Sequence, residues 1–448
     1  MKKERGFIKV LSVVFSIFCM LISFSSRAQE VLTLREALDQ ALSNNLQVKQ
    51  AQMQASLSEE DVKQARMNFF PTLNAGVDGN LRWGKSFDQL TGSLINQSTN
   101  SLNGNVNASA SVFQGFARTN QVSANKYLLL ADQSNIEKIK SDLTLSVVTT
   151  YLEALTNQDL LAAGEQQLAL SRSQLEVEQI NYDVGNKTLA DLSQARSLVA
   201  ADELNVTSAQ NAYDLSVLNL KQLMEMDPSI PVELETPALP EVSLSANPYT
   251  AAELFAQIRE TYPEIKQAEY NSLAAKTNIA IAKSGYYPEL SLRGSAGTGY
   301  SSAQQSSDFN QQLSDNLNEY IGFSLSIPIF NNFRTKIAVS KAKISYENAL
   351  LNERQAENNL NKIINQAVLD LRSAEKSYNS TRQAFEATKE AFEVLRQRYE
   401  VGLANSIELS TSQTNMNKAE FDFIQARYNL IFRSKVIDFY LGKPITFN

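Results

Sequence analysis

Any acid–base chemistry here falls to carboxylates and lysines, because none of the 448 residues is histidine. The single cysteine, Cys19, lies in an apolar run near the N-terminus. Cys or His nucleophile–base pairs, His proton transfer and His/Cys metal sites are therefore excluded from the rest of the chain. Carboxylate chemistry of the glycosidase kind would need two acids flanking a bond in a sugar-binding cleft. The 48 Asp and Glu are instead scattered along the whole length, and no aromatic-rich cluster accompanies them. We read no catalytic residues, no cofactor and no metal site: the chain is not an enzyme. A net charge of −7 without a basic cluster argues against nucleic acid.

Position, not reactivity, organises the polar residues. In 71–83, Leu73, Ala75, Val77, Leu81 and Trp83 alternate with Thr72, Asn74, Gly76, Asp78, Asn80 and Arg82. A period of two puts each set on its own face of a strand. At about 3.3 Å per residue the run reaches roughly 40 Å, or about 30 Å when tilted near 45°, which matches the hydrocarbon layer of a bilayer. Three more runs share this pattern. In 102–113, Leu102, Gly104, Val106, Ala108, Ala110 and Val112 oppose Asn103, Asn105, Asn107, Ser109 and Ser111. In 288–300, Leu290, Leu292, Gly294, Ala296, Thr298 and Tyr300 oppose Ser291, Arg293 and Ser295. In 320–330, Ile321, Phe323, Leu325, Ile327 and Ile329 oppose Gly322, Ser324 and Ser326. A row of asparagines is too costly to dehydrate for a dry interior, so one face reads as wet and the other as lipid-facing. Polar loops, 84–101 and 301–317, join the strands of each pair.

The elements that carry these strands are helical. Of 16 Gly, 11 fall in 71–115 and 285–330, and five of ten Pro fall in 227–248. The remainder is rich in Ala, Leu, Gln, Asn, Lys and Glu, which predicts long helices. They cover 33–67, with Thr33 and Glu36 as a capping box, then 117–183, 189–226, 249–285, 335–400 and 406–441. Unbroken, 117–183 would reach about 100 Å. In each half the two shorter helices laid end to end match the long one, which predicts a cylinder of antiparallel helices. Residues 1–28 read as a signal peptide: Lys2, Lys3, Arg5 and Lys9, an apolar run from Val10 to Phe24, then Ser26-Arg27-Ala28 as the cleavage site. Outside it no apolar run approaches about 18 residues, so any membrane span is a β-barrel.

Shifted by 217 positions, the chain overlays itself. Phe69-Phe70-Pro71 meets Tyr286-Tyr287-Pro288, Phe113 meets Phe330, and Phe116 meets Phe333. Tyr182, Val184 and Gly185 meet Tyr399, Val401 and Gly402. We read two tandem helix–strand–strand–helix–helix repeats, 29–226 and 249–448, joined by a Pro-rich linker at 227–248. The fold class is mostly α with a small β part. Four strands cannot close an outer-membrane barrel; two copies would give eight strands and three would give twelve.

These features, with Pro328-Ile329-Phe330-Asn331-Asn332 and the two Tyr-x-Val-Gly turns, resemble the TolC-like outer-membrane efflux protein family over about 31–442. The resemblance implies a homotrimer with a 12-stranded outer-membrane β-barrel continued by a periplasmic α-helical barrel. It implies a passive exit duct in outer-membrane lipid, with most of the chain in the periplasm. The implied partners are a periplasmic adaptor (membrane fusion) protein and an inner-membrane transporter of RND, ABC or MFS type. Val184, Gly185, Val401, Gly402 and Leu403 match the family's adaptor-contact tips, although Gly after a helix is also an ordinary C-cap. Tyr399 and Asp191 match a hydrogen bond that closes the periplasmic entrance. Glu408 matches in charge one of the acids that ring it, while Ala404 and Thr411 stand where the family's best-known member has an Arg and a second acid. Phe69, Phe70, Tyr286 and Tyr287 read as a membrane-interface belt, or as packing at the helix–strand bend, with Trp83 and Tyr300 marking the opposite interface.

Overall fold

The computed structural model describes residues 30–88, 93–96, 98–236, 250–304 and 306–443. The signal peptide and most of the Pro-rich linker lie outside these residues. In chain order the elements are β1 Glu30–Leu32, α1 Leu34–Asn44, α2 Leu46–Met67, β2 Thr72–Arg82, β3 Lys85–Asp88, β4 Ser93–Asn96, β5 Thr99–Gln114, α3 Ala117–Asp183 and α4 Leu189–Leu223. They continue with β6 Val232–Leu234, α5 Ala251–Ile258, α6 Pro263–Lys283, β7 Glu289–Ser301, α7 Phe309–Asp315, β8 Asn318–Ser326, α8 Arg334–Glu400 and α9 Ser406–Tyr440. Each long helix, α3 and α8, has 67 residues, and each returning helix, α4 and α9, has 35. By contact the chain forms two compact units.

One unit combines residues up to Gln50 with Lys138–Arg259 and the chain from Leu360 onward. Its core gathers Val147, Tyr151 and Leu155 of α3 with Ala37 and Ala41 of α1, Leu220 of α4, and Tyr428 and Ile431 of α9. A short parallel ribbon closes this core: β1 pairs with β6, Leu32 opposite Leu234. The buried Tyr151 hydroxyl lies 3.0 Å from the carbonyl oxygens of both Leu32 and Glu235, so it ties the ribbon to α3. β6 falls within 227–248, where the sequence predicts only linker. Three residues are too few for a periodic signal, and the pairing joins segments about 200 positions apart.

The other unit, Ala51–Glu137 with Glu260–Asn359, holds a four-stranded antiparallel sheet in the order β2-β5-β7-β8. Thr72–Arg82 pairs with Thr99–Ser109 without a slip, and β7 pairs with β8 from Glu289↔Ser326 to Gly297↔Asn318. β5 and β7 slip once, between Ser111 and Phe113, where a bulge sets Phe113 opposite Leu290. Phe113 thereby joins the apolar face that strict alternation would deny it.

Several expected boundaries are corrected. The helix expected over 33–67 is two helices, because Asn45 turns extended (φ −56°, ψ 130°) and its side chain donates to Leu223 O at 3.3 Å. The helix expected over 249–285 divides at Pro263, which opens α6 at a position where its missing N–H costs nothing. Loop 84–101 contains the β3–β4 hairpin, and loop 301–317 contains α7. β8 stops at Ser326, two residues before Pro328, so Ile327 and Ile329 lie beyond it.

Strand meets long helix at two matching elbows. Gly115 (φ 57°) and Phe116 (φ 64°) form the first; Asn332 (φ 54°) and Phe333 (φ 58°) form the second. All four are left-handed, a region that costs most side chains about 1–3 kcal/mol. An edge-to-face pair braces each bend: Phe113 on Phe116 at 5.4 Å, Phe330 on Phe333 at 5.6 Å. A Cβ on Gly115 would fall 2.7 Å from Ser284 O and 2.8 Å from Tyr287 Cβ. Gly115→Ala should therefore lower unfolding stability by about 2–4 kcal/mol, whereas Gly104→Ala, with nothing within 4 Å, should lie within about 1 kcal/mol of the parent. Thermal melting of the two purified variants, followed by circular dichroism, compares them; equal melting would remove the close approach as the reason for glycine.

Candidate functional site: the paired helical turns

Two helix reversals share one construction. α3 ends where the Gly185 N–H donates to Tyr182 O (3.0 Å) and the Asn186 N–H to Asn181 O (2.8 Å). α8 ends where the Gly402 N–H donates to Tyr399 O (3.0 Å) and the Leu403 N–H to Arg398 O (2.8 Å). These are Schellman closures, and they need the left-handed φ of 79° at Gly185 and 80° at Gly402. The next helix starts at once. Thr188 caps α4 in a capping box with Asp191, and the Asn405 side chain accepts from the Glu408 N–H at 2.8 Å to cap α9. Arg398 also donates to Leu403 O at 3.1 Å and stiffens the second turn.

The turns expose apolar side chains. Val184, Val401 and Leu403 are 65, 70 and 68 % exposed. Leu189 and Ile407, which the sequence reading passed over, are exposed to a similar degree. The missed signal was their place, four or five residues after each tip glycine on an otherwise polar helix start.

Behind the turns a run of polar contacts joins the α3–α4 hairpin to the α8–α9 hairpin. The Tyr399 hydroxyl donates to Glu178, whose side chain is almost fully buried, and Lys187 Nζ lies 4.1 Å above the Tyr399 ring. Burial, then the hydrogen bond to Glu178, then the charges of Glu178 and Asp191 push the phenol well above its usual range. It remains a neutral donor at any physiological pH. Asp191 accepts from the Ser406 hydroxyl at 2.5 Å, and from the Thr188 hydroxyl and N–H at 2.7 and 3.1 Å. Further along, Asp159 of α3 accepts from Arg427 (2.7 Å) and Tyr428 (2.9 Å) of α9. A cavity of about 420 Å³, lined by Glu178, Lys187, Phe392, Arg396, Tyr399 and Leu409 among others, lies between the hairpins.

This geometry corrects one expectation. Tyr399 bonds to Glu178 and not to Asp191. Asp191 is the third residue of α4, drawn back to satisfy the open N–H groups at the helix start, and it reaches the second hairpin through Ser406. Nothing in the spacing marked Glu178, seven residues before Gly185. Glu408 is exposed beside the second turn. Phe69, Phe70, Tyr286 and Tyr287 are exposed at the helix–strand bend and Trp83 just past β2, while Tyr300 is half-buried against Phe309 at 5.2 Å.

The sequence pattern of the outer membrane efflux proteins matches residues 37–224 and 254–443. The chain belongs to this family. It is 22 % identical to the outer membrane efflux protein BepC of Brucella suis over 405 residues, covering 90 % of this chain and 83 % of BepC. To the pyoverdine export outer membrane protein OpmQ of Pseudomonas putida it is 26 % identical over 309 residues, 68 % of this chain and 61 % of OpmQ, less than two thirds of that relative's length. A crystal structure of a membrane protein from Pseudomonas aeruginosa shares the fold, with a TM-score of 0.78, 21 % identity, and coverage of 92 % of this chain and 90 % of that one. The family is one of outer-membrane channel proteins, not enzymes, and this chain is accordingly an outer-membrane efflux channel protein.

The Asp191–Ser406 bond carries a pH signature. Ser406, then Thr188, hold the carboxyl below its ordinary 3.8. A depressed folded-state pKa adds stability above the ordinary value and loses it as pH falls through the folded value. Ser406→Ala should cost about 1 kcal/mol at pH 7, at the low end for a charged bond because Asp191 is only partly buried. The wild-type advantage should shrink as pH drops below about 4. Melting both proteins between pH 3 and 7 measures it; a pH-independent gap would detach the effect from Asp191.

Proposed function

We propose that three copies assemble into the exit duct of a tripartite efflux or type I secretion system, with the tips above as its periplasmic gate. The observation that carries the assembly is the sheet itself. Among the described residues β2 pairs only with β5 and β8 only with β7, so both outer strands have open edges. Their apolar sets are bare, with Val77 73 % and Ile321 78 % exposed. An open edge in lipid leaves backbone groups without partners, and only closure removes them. Three copies give twelve strands, with the alternating polar face lining the bore and the aliphatic face meeting lipid. Phe69, Phe70, Tyr286, Tyr287, Trp83 and Tyr300 then sit at the two membrane interfaces.

The duct is passive. An inner-membrane pump of RND, ABC or MFS type supplies energy and selectivity, and a periplasmic adaptor opens the tips by seating on Val184, Gly185, Val401, Gly402 and Leu403. Opening breaks the bonds between hairpins, Tyr399–Glu178 first. Three copies of Glu408 at the entrance draw cations toward it.

Removing a charged buried hydrogen bond worth about 1.5–3 kcal/mol should raise the open fraction roughly ten-fold or more. Tyr399→Phe should therefore raise mean conductance in planar bilayers; unchanged conductance dismisses the latch. Leu403→Glu should abolish export while the heat-modifiable trimer persists, because it places charge on an apolar contact without altering the turn. Gly402→Glu should do the same and also strain the left-handed position. Normal export from the Leu403 variant would remove the tips as the docking surface.

A further inference from the structure

One face of the sheet carries glycines where its neighbours carry asparagines. Asn103 is paired with Gly299, and Asn105 lies between Gly76 and Gly297. A Cβ on Gly299 would overlap Oδ1 of Asn103. One on Gly76 would lie 3.1 Å from Oδ1 of Asn105, and one on Gly297 would lie 3.1 Å from Gly104 O and 3.4 Å from Cβ of Asn105. On β8 the Tyr320 ring lies along the strand over Gly322, filling the space a Cβ would take. The long polar side chains of this face thus lie down along the wall, over residues that have no side chain. Asn107 donates to Asn105 Oδ1 at 3.4 Å in the same layer. Above them is a depression of about 560 Å³. Glycine inside a strand costs about 0.5–1 kcal/mol against alanine, so four on one face are a standing cost without a packing return.

We infer that Gly76, Gly299 and Gly322 set the width of the outer bore, and hence the size limit for what leaves it. This rests on the duct reading, in which the wet face lines the passage. Each glycine lets a neighbouring polar side chain fold flat. Any side chain there would stand the Asn or Tyr up into the bore, three times around the barrel. The recess makes the exit wide and wettable, suited to bulky solutes that pass without a dedicated binding site.

The test uses a reporter at Ser295, on the same face and farther from the outer loops than Gly76 and Gly299. Because Cys19 is the chain's only cysteine, Ser295→Cys can be labelled in intact cells with maleimide-polyethylene glycols of graded mass. Adding Gly76→Ala and Gly299→Ala should slow the largest reagents at least three-fold and leave a small maleimide unchanged. Further Asn103→Ala and Asn105→Ala should restore the parent rates, and Gly104→Ala, on the opposite face, should change nothing. Equal labelling at all sizes, or no restoration, overturns the inference. Should the double alanine variant fail to reach the membrane, Asn103→Ala with Asn105→Ala in the parent decides. Rates within two-fold of the parent support side chains already flat, and a several-fold rise overturns them. A Ser295→Cys protein that even the small maleimide cannot reach would defeat the duct reading itself, and the width inference with it.

Discussion

A sheet whose two faces prefer different solvents, and whose two edges have no partner among the described residues, is the constraint on which this protein depends. The alternation of Leu73, Val77 and Leu81 with Asn74, Asp78 and Asn80 can be satisfied only at a boundary between an apolar medium and water. The free backbone groups of β2 and β8 can be satisfied only by other strands. In the proposed assembly both requirements are met by closure with further copies.

The helical unit solves the opposite problem. Its core around Tyr151, Leu155 and Leu220 is dry and well filled, while the contacts between hairpins near the turns are polar: Tyr399 to Glu178, Ser406 to Asp191, Arg427 and Tyr428 to Asp159. An apolar seam would resist parting in proportion to the area exposed. Hydrogen bonds can be exchanged for bonds to water at small net cost. A polar seam behind Schellman turns fits the proposed gate, whose hairpins would hold together and still separate.

How much of this was legible beforehand varied with the range of the interaction. Strand faces, the two 67-residue helices and the Thr33 cap rest on contacts within a few residues, and these were readable as they stood. The β1–β6 ribbon, the bulge that turns Phe113 outward and the Tyr399–Glu178 bond depend on residues far apart in the chain, where no local periodicity reports them. Asp191 combines both ranges. Its bonds to Thr188 span three residues, while its reach to Ser406 spans 215, and neither was read from the sequence.

Composition and periodicity alone carried the class of solution, long helices with four strands of alternating faces. Periodicity and composition act locally, so they survive without knowledge of the fold. The tertiary structure alone decided which acid meets Tyr399, which glycines lie beneath asparagines, and how strand bends into helix through Gly115 and Asn332. Those outcomes turn on packing within a few ångströms between distant segments, and a chain's pattern does not record distances of that kind.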